Sequence, residues 1–270
     1  MHSELFSLGP FTVHSFGVCM ATGFLLGWWV VSYLCRKTGQ NADSISSLLT
    51  WLMVSAIIGA RAAYVIEHWN AEFAGHPAQI FRIDQGGLMF YGGLIAAAAG
   101  LALFAKISRR HWFEITDLVL TAVPLGHAFG RIGCFFHGCC YGRIVKNGWG
   151  VCFPKYSPAW HEQLNANPPL IDQFTAQSLP VIPTQLIEAG CNFLLFLFLF
   201  ANYTKRHHLR GFQSGCYLMG YAVIRFCIEY LRGDPRFAVG PFSISQTISF
   251  AVFLAGAVIL YHTLHGKKLA

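Results

Sequence analysis

Seven long apolar runs, separated by short basic clusters, leave this chain very few ways to fold. Of its 270 residues only 11% are charged and 54% are hydrophobic, whereas soluble domains carry about 25% charged residues. Runs of this kind belong in hydrocarbon, where about 20 apolar residues are needed for a spanning helix. There only helices and closed barrels satisfy every backbone polar group. The runs lie at about His14–Cys35, Ile45–Trp69, Leu88–Ile107, Phe113–Phe136, Pro183–Tyr203, Ser214–Leu231 and Phe242–Leu264. The expected fold is therefore an all-α membrane protein, a bundle of about seven transmembrane helices forming a single integral domain over 1–270.

Net charge is +7, but the placement of the cations speaks against nucleic acid as a partner. Arg36-Lys37, Lys106 with Arg109-Arg110, Lys205-Arg206 with Arg210, and Lys267-Lys268 all close alternate spans on one side. The positive-inside rule makes that side cytoplasmic, so the N-terminus is expected outside and the C-terminus in the cytoplasm. Met1-His2-Ser3-Glu4 lacks a basic n-region, which reads as a first span rather than a removed signal. Residues 138–180, with Trp149, Trp160 and five prolines, are too polar to span. They are expected to form a small extracytoplasmic head between spans four and five.

The densest chemistry sits at 130–142, Gly-Arg-Ile-Gly-Cys-Phe-Phe-His-Gly-Cys-Cys-Tyr-Gly. Arg131 at the end of a span needs a partner or an anion. Cys134, Cys139 and Cys140 beside His137 could act as nucleophile and base, as metal ligands, as a disulfide, or as small buried groups. No zinc-finger or Cys-x-x-Cys spacing is present. Adjacent Cys139 and Cys140 argue against a shared ion, so neither a metal nor a cofactor is assigned. Other ionisable residues lie inside spans: Arg61, His127 four before Arg131, Gln185 three before Glu188, and Arg225 four before Glu229. Three arginines with few carboxylates point to a phosphate as the missing counter-charge, which the guanidinium fork suits. Asp117, near the cytoplasmic end of its run, reads as a snorkelling or capping residue.

Several of these motifs, in order, resemble the prolipoprotein diacylglyceryl transferases, bacterial membrane enzymes that move diacylglycerol from phosphatidylglycerol to a lipoprotein cysteine. They are Leu8-Gly9-Pro10 with His14, Gly59-Ala60-Arg61-Ala62-Ala63-Tyr64, Phe81 to Gly87 leading into Gly92-Gly93-Leu94, Gly130-Arg131-Ile132-Gly133, and Pro183 to Glu188. Gly220-Tyr221 with Arg225, Glu229 and Arg232, and Ser245-Gln246 with Ser249, complete the set. The resemblance implies that Arg131, Arg225, Glu229, Arg61, His14, Gln185, Gln246 and Gly142 bind the substrate. It also implies the bacterial inner membrane as location. The chain departs from the family pattern at three places. Phe16 replaces a tyrosine, Tyr91 replaces the histidine proposed as base, and Cys134 with His137-Gly138-Cys139 replaces Asn and Asn-Gly-Glu.

Two functions follow. One is an enzyme drawing a group from an anionic phospholipid, phosphatidylglycerol, with a lipoprotein precursor as acceptor. Here His137 or Tyr91 is the base, or Cys139, with Cys134 second, is a reactive thiol with His137 as its base. The other is a divergent relative on the same scaffold, acting on a different lipid or binding a lipid, soft metal or redox partner without catalysis.

Overall fold

A computed structural model describes residues 4–8, 11–40, 42–82, 86–146, 149–234, 238–239 and 241–265. Met1 to Ser3, Gly9-Pro10, Ile83 to Gln85 and Lys267-Lys268, all used above, lie outside these residues. The apolar runs fall on long helices: α1 Ser15–Lys37, α2 Ala42–Glu67, α3 Phe90–Ile107 and α4 Trp112–His137, then, after the short α5 Pro158–Leu164, α6 Thr184–Arg206, α7 Phe212–Leu231 and α8 Ile244–His265. Among the described residues six of them are long and apolar enough to cross a membrane. The exception is α7, which carries Gln213, Arg225 and Glu229. Two short hairpins accompany the helices. β1 (Glu4–Leu8) pairs antiparallel with β2 (Phe11–His14), and β3 (Ala238–Val239) with β4 (Phe242–Ser243).

The chain divides into two compact units. The first comprises Met1–Val31 and Asp117–Ala270. In it α7 packs against both α6 and α8, and its Gln213 and Glu229 are buried. Its N-terminus is capped from another helix. Asp117 of α4 accepts from the Gly211 N–H at 2.7 Å and the Ser214 N–H at 2.8 Å. The capping role expected for Asp117 is thereby realised across the bundle, where four unpaired N–H groups would otherwise face apolar surroundings. α8 begins on a capping box, in which Ser243 and Gln246 exchange side chain–backbone hydrogen bonds of 3.0 and 3.2 Å.

Residues 138–180 fold onto the end of α4. Tyr141, Phe153, Ala159 and Val181 form a small buried core with Phe135 packed against it. Ser157 caps α5, and the Trp160 indole donates to the Thr175 carbonyl at 2.8 Å. Aromatic residues and backbone bridges thus hold a short polar segment in one shape.

The second unit, Ser32–Thr116, is built on α2 against α3. Gly59 and Gly92 face each other so closely that a Cβ at Gly59 would lie 2.6 Å from the Gly92 carbonyl oxygen. Small residues permit such an approach where apolar side chains alone drive no association. The Trp51 indole donates to the Gly100 carbonyl at 3.0 Å further along.

Because Asp117 supplies the cap of α7, Asp117→Ala should lower stability by about 1–2 kcal/mol. Thermal unfolding in detergent reads this as a lower midpoint, and Asp117→Asn should recover part of the loss. An unchanged midpoint for the alanine variant would remove the cap from the account.

Candidate active site

Three helices of the first unit carry a polar layer. Glu188 of α6 is 1% exposed and meets Arg131 of α4 at 3.0 Å. His127, one turn before Arg131, approaches the same carboxylate oxygen at 3.6 Å. The His127 ring lies 5.2 Å from that of Tyr221 on α7. Four residues beyond Tyr221, Arg225 pairs with Glu229 at 2.7 Å and donates to the Ser245 hydroxyl at 3.1 Å. Both Arg131 and Arg225 act electrostatically on His127, so this imidazole has a guanidinium in range on α4 and another on α7. Among the described residues each arginine keeps one buried nitrogen without a hydrogen-bond partner, Arg131 Nε and Arg225 Nη1. Unpaired donors on buried cations are costly, and they are what a phosphate would satisfy.

Next to this layer α4 ends in a turn that the cysteines shape. Gly138 is left-handed (φ 83°) and its N–H donates to the Cys134 carbonyl at 2.9 Å, a common helix stop. Two residues on, Cys140 is left-handed as well (φ 62°), a conformation that disfavours any residue with a Cβ. This double reversal gathers three sulfurs. The Sγ atoms of Cys134, Cys139 and Cys140 all lie within 4.8 Å of one another, and all three are free thiols. Adjacency argued against Cys139 and Cys140 sharing an ion, yet their sulfurs converge, with Cys140 itself left-handed.

Three contacts pin the turn. Thr184 donates to the Cys140 carbonyl at 2.8 Å and Gln185 to the Cys139 carbonyl at 2.7 Å. Gly142 hydrogen-bonds to Ile182 at 2.9 Å and bridges to Arg232, and a Cβ there would sit 2.7 Å from the Leu231 carbonyl oxygen. Arg232, held to Asp234 by bonds of 2.9 and 2.7 Å, also reaches the Cys140 sulfur. Despite burial, those contacts hold its guanidinium above the ordinary arginine range. Hydrogen bonds from Cys134 and Cys139, with Arg232 and Arg131 adding positive charge, keep the Cys140 thiol below its ordinary range. Hydrogen bonding to its neighbours and burial push Cys139 up. Beside the turn, Tyr141, Gly142, Arg143, Glu162 and Gly233 line part of a cleft of ≈ 340 Å³, where Tyr141 donates to Glu162 at 2.6 Å.

The family model for prolipoprotein diacylglyceryl transferase matches residues 3–262. The chain belongs to that family. A phosphatidylglycerol–prolipoprotein diacylglyceryl transferase of Clostridium perfringens (the second of that name) is 31% identical over 267 residues, covering 98% of this chain and 96% of the relative. One from Methylibium petroleiphilum is 31% identical over 93% of this chain and 92% of its own, and one from Burkholderia thailandensis 32% identical over 94% and 91%. The protein is therefore a helical membrane protein of a transferase family.

The structure distributes the sequence-derived residues of this family member unevenly. Arg131, Cys134, Cys139, Gln185 and Gly142 come together around the turn, and Arg225 with Glu229 lies in the polar layer. His137, last residue of α4, is exposed, and among the described residues it makes no hydrogen bond to Cys139, whose sulfur faces the Cys134 carbonyl at 3.9 Å. His14 ends β2 and is exposed, and Gln246 serves the cap of α8. Tyr91 and Arg61 belong to the second unit. Tyr91 is 71% exposed. Arg61 gives all five N–H groups to backbone carbonyls, those of Gln79, Ile80, Arg82, Gly86 and Gly87, at 2.7–3.2 Å. His127, Glu188, Tyr221, Thr184 and Arg232 were absent from the expected site. The i, i+4 spacing of His127 and Arg131 and the i, i+3 spacing of Gln185 and Glu188 were the available signals for the first two, and the others stood only within the motifs of the resemblance.

With every donor committed, Arg61 holds the backbone of residues 79–82 and 86–87. Arg61→Lys offers three donors to five acceptors, so limited proteolysis should cut between 76 and 89 at least several-fold faster than in the wild type. A loop equally resistant in the lysine variant would show that the carbonyl network is dispensable.

Proposed function

We propose that this protein moves the diacylglyceryl group of phosphatidylglycerol onto the cysteine thiol of a prolipoprotein. The observation that carries the reading is the pair of partly buried arginines, each carboxylate-paired yet retaining, among the described residues, a buried nitrogen without a hydrogen-bond partner. In the reaction the acceptor sulfur attacks the glyceryl carbon that bears the phosphate ester. That C–O bond breaks, and glycerol phosphate leaves with the electron pair. Charge grows on the leaving phosphate, and Arg131 and Arg225 are placed to neutralise it. Glu188 and Glu229 keep both forks aimed while leaving donors to spare. A lipid in a bundle reaches such a site from the side, without crossing water.

The cysteine cluster serves the acceptor in this scheme and does not carry the lipid. A diacylglyceryl group on Cys139 would be a thioether, and a thiolate leaves saturated carbon poorly. A covalent relay with His137 as base would therefore stall after its first half. The membrane arrangement proposed with this function puts the N-terminus and the 138–180 head outside and the C-terminus in the cytoplasm of the bacterial inner membrane, from the one-sided basic clusters. Trp149, Tyr156 and Phe174 of the head are exposed, as befits side chains that rest at a membrane interface.

Transfer measured in phosphatidylglycerol vesicles with a prolipoprotein peptide should fall roughly 100-fold or more in Arg131→Ala and Arg225→Ala. Lysine at either position should restore little, because a point charge lacks the fork. Alanine variants that transfer at the wild-type rate would sink the assignment. For orientation, single cysteines placed in the C-terminal tail of a cysteine-free background should resist a membrane-impermeant maleimide in intact cells. Rapid labelling there would invert the topology.

A further inference from the structure

We propose that Cys134, Cys139 and Cys140 form a zinc site whose open fourth position binds the acceptor thiol, an inference that rests on the transferase reading above. The three Sγ atoms lie within 4.8 Å of one another. Thiolates on one zinc at about 2.3 Å are about 3.8 Å apart in a tetrahedron, so small side-chain rotations bring all three onto one ion. Two adjacent cysteines rarely converge, and here they do because Cys140 takes a left-handed φ of 62°. Such a conformation persists only where the surroundings hold it. Thr184 and Gln185 grip the two carbonyls, and Gly142 is locked against Ile182 and Leu231.

Among the described residues the group contains three ligands and no fourth. Structural zinc sites are closed by four protein ligands, while catalytic ones keep a position open. The sulfurs are half-buried, so an incoming thiol can reach them. Three thiolates and one zinc carry a net charge of about −1, and Arg131 and Arg232, both acting electrostatically on Cys140, offset it.

The chemistry matches what the chain lacks. Tyr91 stands where the resemblance implies a histidine base, and His137 does not reach the sulfurs. A thiol bound to zinc is deprotonated outright, so the metal removes the need for a dedicated base. The acceptor S–H binds as thiolate and its proton passes to water. Its sulfur lone pair then forms the C–S bond to the glyceryl carbon as the C–O bond to phosphate breaks and glycerol phosphate leaves. Arg131 touches both halves of this event. It pairs with Glu188 in the polar layer and acts on Cys134 and Cys140 at the turn. The nucleophile and the leaving phosphate would thus be adjacent.

The test uses full-length protein purified in detergent without chelator or reductant. Elemental mass spectrometry should find one zinc per chain, lost in the Cys134→Ser, Cys139→Ser and Cys140→Ser variants. Wild-type protein stripped by a chelator and reloaded with cobalt(II) should show sulfur-to-cobalt charge-transfer absorption and the visible bands of a four-coordinate site. Adding a prolipoprotein cysteine peptide should raise the charge-transfer intensity by about one third, as a fourth thiolate joins three, and the serine peptide should not. Zinc no higher than in the serine variants, copper in its place, a disulfide among the three cysteines, or a cobalt spectrum blind to the peptide thiol each overturns the inference. Transfer that continues undiminished after zinc is stripped also overturns it, and leaves the transferase reading standing. Zinc and thiol binding without transfer from phosphatidylglycerol upholds the site and removes that reading instead.

Discussion

A single carboxylate, Glu188, governs the interior of the first unit. It is buried on α6 and pairs with Arg131 while His127 stands beside it. A charge in such surroundings is tolerated only when its partners are fixed, and removing one partner leaves the other stranded. Glu188 therefore fixes the facing positions of α4 and α6. Through His127 and Tyr221 the same constraint extends to α7, where Arg225 is held in turn by Glu229 and Ser245. Arginines so restrained can present a fixed fork to an anion, because the rotamer freedom lost on binding is already gone.

The end of α4 adds a second constraint that depends on the first. Gly138 stops the helix, Cys140 reverses the chain, and the backbone of the turn is tied to the start of α6 and the end of α7. The small head exists in part to maintain this geometry. Its core of Tyr141, Phe153, Ala159 and Val181 packs on Phe135 of the helix that carries the cysteines. Arg232 then links the turn to Asp234 and to the sulfurs. A strained residue supported from three sides is the usual mark of a site whose shape matters more than its own stability.

Two kinds of reactive group stand near the arginines of the first unit, the His127 imidazole and the sulfurs of the turn. Tyr91 is exposed in the second unit, and Arg61 there is spent on carbonyl groups of its own loop. The thiols of the turn lie beside Arg131 and Arg232. An enzyme that alkylates a thiol needs that thiol as its anion next to a stabilised leaving group. The zinc site proposed above would supply the first, and the guanidinium groups alongside the second.

The helices and most of the membrane character were legible in the sequence, since hydrocarbon admits almost no alternative to helices at runs of this length and polarity. So were the arginines, because a cation inside a span must have a use. Local spacing also exposed Arg225 with Glu229, which share a helix. The partners of Arg131 and Cys139 could not be read that way. Glu188 and Gln185 are separated from them by 46 residues or more of chain, and only packing of α6 on α4 brings them close. The convergence of Cys139 and Cys140 was hidden for a different reason. Adjacency in sequence predicts divergence, and a single positive φ at Cys140, held by hydrogen bonds from Thr184 and Gln185, reverses it. Composition and periodicity determine which residues enter the membrane, because burial is a property of each stretch by itself. Which of them meet is decided by the tertiary structure, because pairing depends on contacts that no single stretch contains.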